Sequence, residues 1–186
     1  MKIQYTTNLN STRKLNLIPV FETENEGVFQ KMTLSKTVFS GKKDTTYVVE
    51  SENKVFVFIG LGKDSDYKTI KTIFRRISAK QTSFFEKEAS LVIPNDFSTS
   101  NIEAAVSGLL LGTYKLGHYK KEKTKHPLNS EEFTFEIVSF KDISLVVEKA
   151  VKIANAQLET YHLVDLPPNK ITPVYLADWA KNSGKN

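Results

Sequence analysis

A short apolar β-rich run followed by a helical stripe recurs three times between residues 54 and 166, and this rhythm restricts the fold more than any other feature of the chain. The first run, Lys54-Val55-Phe56-Val57-Phe58-Ile59-Gly60, is apolar on both parities, as a strand covered on both faces is. Gly60-Leu61-Gly62-Lys63-Asp64 is expected to break it. Tyr67, Ile70, Ile73, Phe74 and Ile77 then recur at three- and four-residue spacing, with Lys68, Lys71, Arg75 and Arg76 on the outer face. The second unit is Ser90-Leu91-Val92-Ile93, closed by Pro94-Asn95-Asp96. A Ser100-x-x-Glu103 capping-box pattern then leads a stripe of Ile102, Ala105, Val106, Leu109, Leu110 and Tyr114. In the third, Phe133-Thr134-Phe135-Glu136-Ile137-Val138 alternates as a strand. Asp142 offers an N-cap for a long helix reaching Leu166 through Leu145, Val146, Ala150, Ile153, Ala154, Leu158, Tyr161 and Val164. Such alternation predicts an α/β fold: a mixed, mostly parallel sheet with helices on both faces and right-handed crossovers.

Upstream, Thr45-Thr46-Tyr47-Val48-Val49-Glu50 pairs with the first run as a hairpin around Ser51-Glu52-Asn53. Ile3, Tyr5, Leu15, Leu17, Ile18, Val20 and Phe21 suggest two strands around the polar turn 8–12, and residues 26–36 read as a short helix. No internal repeat is visible, and the lysine-rich segment 120–125 reads as a loop.

A chain of 186 residues with 40% hydrophobic and 25% charged residues can bury one core without staples. No apolar run approaches the ~20 residues that span a bilayer, and the start of the chain lacks the apolar stretch of a signal peptide. A cytoplasmic protein without a membrane partner is therefore expected. The absence of cysteine removes disulfides, thiolate metal sites and cysteine nucleophiles together. A net charge of +5 and a pI near 9.2 are modest, and acidic residues interleave with the lysines, which favours a solvated surface. The densest basic segment, 115–126, holds Lys115, His118, Lys120, Lys121, Lys123, Lys125 and His126 beside Tyr114 and Tyr119. It superficially suits a nucleic acid, but a solvated loop is the better reading.

Gly60-Leu61-Gly62-Lys63 after a buried strand invites a phosphate-loop reading, but the spacing fails. Val57 stands where a Walker motif needs its first glycine, Asp64 where it needs a hydroxyl, and Ser65 where a dinucleotide fingerprint needs a glycine. A structural turn is expected instead. His118, Glu122 and His126 recur every four residues like zinc ligands, yet the surrounding lysines, Gly117 and Pro127 argue for a loop. His162 reads as an interfacial histidine on the last long helix. No Ser/His/Asp order and no His-Glu-x-x-His is present. The residues therefore nominate no catalytic, metal or cofactor-binding site.

The most specific local motif is Leu163-Val164-Asp165-Leu166-Pro167-Pro168-Asn169-Lys170-Ile171-Thr172-Pro173. Neighbouring prolines stop one helix, and Thr172 as N-cap with Pro173 at the first helical position starts another through Val174, Tyr175, Leu176, Ala177, Asp178, Trp179 and Ala180 towards Gly184.

Four strings in order, Phe39-Ser40-Gly41-Lys42-Lys43, residues 55–63, residues 103–115 and residues 163–173, make the chain resemble the amino-terminal part of the leucyl aminopeptidase (cytosol aminopeptidase) family over roughly 28–184. The resemblance implies a three-layer, macro-domain-like accessory domain at 1–141. It implies that 142–186 holds a connecting helix and the first helix of a peptidase domain. It also implies a longer protein that releases amino-terminal residues from peptides through two divalent metal ions, such as manganese or zinc, in a carboxy-terminal domain, and that assembles as a homo-hexamer. The family's catalytic string Asn-Thr-Asp-Ala-Glu-Gly-Arg does not occur in this sequence, so no catalytic residue, metal ligand or cofactor contact transfers to it. Where the family usually shows Ala-Arg-Asp-Leu-Val-Asn before the prolines, this chain has Thr160-Tyr161-His162-Leu163-Val164-Asp165. A stand-alone macro-like module for a nucleotide or ADP-ribose at the glycine turn, and nucleic-acid binding through 115–126, are the alternative readings.

Overall fold

A computed structural model describes residues 1–7, 13–22, 38–116 and 125–183. Its centre is a six-stranded sheet in the order β1-β6-β5-β2-β4-β3. The strands are β1 (Lys2–Thr6), β2 (Leu15–Phe21), β3 (Thr46–Ser51), β4 (Lys54–Gly62), β5 (Glu88–Val92) and β6 (Thr134–Val138). All neighbours are parallel except β3, which pairs antiparallel with β4. The tight β3–β4 hairpin carries positive φ at Glu52 (49°) and Asn53 (64°), the two-residue turn whose twist matches the strands it joins. β1 and β2 are two strands, as expected, but not partners: β6 and β5 lie between them.

Helices α1 (Tyr67–Lys80), α2 (Thr99–Leu111) and α3 (Ser144–Val164) pack side by side in that order, and α4 (Pro173–Ser183) follows the junction. The α1 stripe is as expected: Ile70, Ile73, Phe74 and Ile77 are buried, joined by Ser78. They enter one core with Leu15, Leu17, Val57, Ile59, Leu61, Leu91, Phe135 and Ile137, one parity of the parallel strands. Each such side chain contributes about 1.5–3 kcal/mol when fully buried. The other parity of β2 and β4 forms a second cluster in which Ile18, Val20 and Phe58 pack on Phe39. Towards β1 that parity turns polar. Asn16, Ser90 and Glu136 are buried there, Ser90 donates to Asn16 (2.8 Å), and Arg13 reaches Glu88 (3.0 Å), Gln4 (2.6 Å) and Glu136 (3.5 Å).

Several helix boundaries depart from the sequence reading. α2 is capped by Ser98, whose hydroxyl accepts from the Asn101 amide (3.1 Å), not by Ser100, and Glu103 is thereby freed from any capping role. Buried residues run almost all round α2, from Ile102 and Ala104 to Leu109 and Leu111, because it lies between α1 and α3. On α3 the expected stripe is only partly used. Val147, Ala150 and Ala154 are buried, whereas Leu145 and Val164 are 79% and 74% exposed. Asp142 does accept from the Ser144 amide (3.0 Å), one residue ahead of the N-cap position. The expected helix at 26–36, the turn at 8–12, the lysine segment 120–124 and Gly184 lie outside the described residues.

Candidate interdomain junction

The proline motif forms a compact connector. α3 ends at Val164, with the Asp165 amide still donating to Tyr161 O (3.0 Å). The Pro167 carbonyl then accepts from both Lys170 (2.8 Å) and Ile171 (3.1 Å), a closed turn that needs no proline N–H. Thr172 caps α4, its hydroxyl accepting from the Tyr175 amide (3.2 Å) with Pro173 in the first turn, as expected. The end of α3 is tied to the body by Tyr114. Its hydroxyl donates to Asp165 Oδ2 and lies 3.1 Å from Tyr161 O, while its ring meets Tyr161 and the exposed His162 edge-on, each at 5.2 Å between centroids. Partial burial and the Asp165 carboxylate push the Tyr114 phenol up to about 12. It therefore stays a protonated donor throughout the physiological range. Asp165, where the family usually has asparagine, is held by this donor.

Beyond the junction α4 buries none of its residues, and Val174 (71%), Tyr175 (43%) and Leu176 (40%) face outward. A cleft of about 610 Å³ separates Tyr175 and Trp179 from Glu159 of α3.

The other motifs of the resemblance turn out to be packing devices. Gly60 and Gly62 do not break β4, which runs through Gly62; they let the segment 41–45 lie against it. The Gly60 amide donates to Thr45 O (2.8 Å) and the Gly62 amide to Gly41 O (2.9 Å), while Gly60 O accepts from Asp44 (3.1 Å). Both glycine amides are thus taken by backbone carbonyls, and neither is free to donate to a phosphate. Gly108 in α2 and Gly112 at its C-cap sit one turn apart against the α1 backbone at Lys71 and Arg75.

The histidine series does not form a metal site that the described residues can show. His118 and Glu122 lie outside them, and among them no group of three His, Asp or Glu could hold a metal. His126 is not in an exposed loop but in the core, 1% exposed. Its Nε2 lies 3.0 Å from the Ser78 carbonyl, its Nδ1 accepts from the Leu128 amide (3.2 Å), and its ring packs on Phe85. A carbonyl only accepts, so Nε2 carries the proton and neither nitrogen is open to a metal. The basic segment thus loses one cation to the core, which weakens the nucleic-acid reading. What could have revealed this is Pro127 after His126, where a histidine can cap a one-turn helix. Burial pushes the imidazole below its ordinary value near 6.5. The unfolded chain then takes up more protons than the folded one, so stability should fall as pH drops through about 6.5. In urea titrations at pH 7.5 and 5.5, His126→Gln should flatten this dependence; an unchanged slope would assign it elsewhere.

The comparisons with known proteins fit this arrangement. Residues 16–123, more than half of the chain, match the model of the cytosol aminopeptidase family, N-terminal domain. The chain belongs to the cytosol aminopeptidase family. A probable cytosol aminopeptidase of Treponema denticola is 30% identical over 168 residues, covering 87% of this chain and 35% of that protein. One of Cyanothece sp. is 26% identical, covering 84% and 33%. The chain thus spans about a third of the length of these curated relatives. Among solved structures, a mutant of tomato leucine aminopeptidase superposes with a TM-score of 0.80 at 16% identity, covering 98% of this chain and 41% of that one. The bottromycin maturation enzyme BotP in complex with Mn gives 0.66 at 15% identity, covering 91% and 35%. These likenesses confirm the fold of a cytosol aminopeptidase N-terminal domain.

Proposed function

We propose that this domain serves as the accessory, non-catalytic part of a metal-dependent aminopeptidase, shaping assembly and access to a peptidase domain that begins with α4. In this reading 1–141 form a macro-domain-like accessory unit, and 142–186 form the connector and the first helix of the peptidase domain. The longer cytoplasmic protein releases amino-terminal residues from peptides, assembles as a homo-hexamer, and holds two divalent ions such as manganese or zinc in its carboxy-terminal domain. Among the described residues no group of three His, Asp or Glu could hold such an ion, and no step of the chemistry is assigned to this chain.

The observation that carries the proposal is the contrast across the junction. α3 is buried against α2 and tied by Tyr114, whereas α4, nine residues on from Val164, leaves Val174, Tyr175 and Leu176 uncovered. The curated relatives, about three times as long, leave room for a further domain to cover them, which supports this reading. The purified chain, assayed with leucine anilide and manganese, should show no turnover, while a form extended through the peptidase domain should turn over. Activity in the short chain would sink the proposal.

A further inference from the structure

Three of the four cations on the outer face of α1 line one wall of a cleft of about 300 Å³ between α1 and α3; the fourth, Arg76, pairs with Asp44. Lys68, Lys71 and Arg75 project into it from one helical face, spanning about 10 Å along the axis. Gln157 and Tyr161 of α3 form the facing wall, and Leu111 of α2 also lines it. Among the described residues none of the three cations has a carboxylate within ion-pair distance.

Two of them are held by neutral partners instead. Lys71 Nζ donates to Gln157 Oε1 (3.0 Å) and lies 5.5 Å from the Tyr67 ring; the Arg75 guanidinium lies 5.5 Å from the Tyr161 ring. Such partners orient a cation without cancelling its charge. The carboxylate that acts on Lys71, Glu103, is itself engaged by Lys149 (2.8 Å) and Tyr67 (3.2 Å). Partial burial, with Arg75 nearby, pushes the Lys71 ammonium down, a cost that an arriving anion relieves.

We propose that this cleft binds a small ligand carrying two phosphate-type groups, with Lys68, Lys71 and Arg75 as its charge contacts. Three cations strung over two helical turns match two anionic centres better than one. A guanidinium fork beside two ammonium groups offers the donor density that phosphate oxygens accept. The cleft's small volume, about 300 Å³, suits a metabolite better than a nucleic-acid strand.

Inorganic pyrophosphate is the probe, titrated into the chain alongside phosphate and, at matched ionic strength, sodium chloride, and followed by amide NMR. Pyrophosphate should give saturable shifts at residues 68–75 and 157–161, with phosphate about tenfold weaker. Lys71→Gln with Arg75→Gln should weaken pyrophosphate at least about tenfold. Lys68→Gln, at an exposed position where folding is not at stake, should weaken it several-fold, and Lys152→Gln should leave it unchanged. No saturation below about 10 mM, an equal response to chloride, or indifference to the Lys68 and Lys71/Arg75 changes would overturn the proposal. So would a single-stranded oligonucleotide that binds more tightly than pyrophosphate with steep salt dependence, since that describes an extended nucleic-acid surface.

Discussion

Gly108→Ala is expected to destabilise the domain by about 2–3 kcal/mol, lowering its melting temperature by roughly 5–10 °C. Helix propensity alone would favour alanine by about 1 kcal/mol, so the sign of the effect tests the packing. A Cβ at Gly108 would lie 2.5 Å from the Lys71 carbonyl oxygen and 3.0 Å from Phe74 Cβ. Neither is the flexible end of a side chain, so α1 and α2 must separate. That separation loosens Phe74, which is completely buried. Gly112, one turn on, meets Arg75 O and Ser78 Cβ at 2.5 Å each. Because both glycines serve one interface, the double alanine variant should cost less than the sum of the two. Thermal and urea unfolding check both statements, and a melting temperature that stays level or rises would remove the close approach.

Gly60→Ala should cost about 3 kcal/mol and release the segment 41–45 from β4. Its Cβ would stand 2.0 Å from Lys42 O and 2.5 Å from Thr45 Oγ1, distances no side chain occupies. Gly60 has no positive φ, so the cost comes from lost space and not from backbone strain; Gly62, at φ +80°, adds the second constraint. Displacing 41–45 also uncovers Phe39 and Phe58, buried against each other at 6.2 Å between rings. Hydrogen exchange at the Gly60 and Gly62 amides should accelerate sharply with the loss of stability. A phosphate-loop glycine would behave differently, losing anion affinity while keeping stability, so the experiment separates the two readings.

The parts of this fold that were legible in sequence are those set by local periodicity and backbone chemistry. The apolar run of β4, the α1 stripe and the Pro167-Pro168 to Thr172-Pro173 junction each carry their signal within a dozen residues, because side-chain direction, a missing N–H or a hydroxyl cap acts locally. Errors arose where a neighbour decided the outcome. Ser98 outcompeted Ser100 as the α2 cap, and Glu103 was drawn to Lys149 of α3 and Tyr67 of α1. Leu145 is expected in the α3 stripe, but at 100° per residue it lies on the side of the helix opposite the buried Val147 and Ala154, and Val164, the last residue of the helix, is exposed as well. His126 looked like part of a basic loop because nothing near it in sequence reveals Ser78 and Phe85.

By itself, then, the sequence determined an α/β chain of the cytosol aminopeptidase family without the family's catalytic string, with a helix beginning again after paired prolines. Only the tertiary structure decided what the familiar motifs do. The glycines at 60, 62, 108 and 112 admit backbones to close contact, a property of two segments at once that neither encodes alone. The same holds for charge: Lys68, Lys71 and Arg75 become a cleft only because α3 folds back alongside α1 and supplies neutral partners instead of carboxylates.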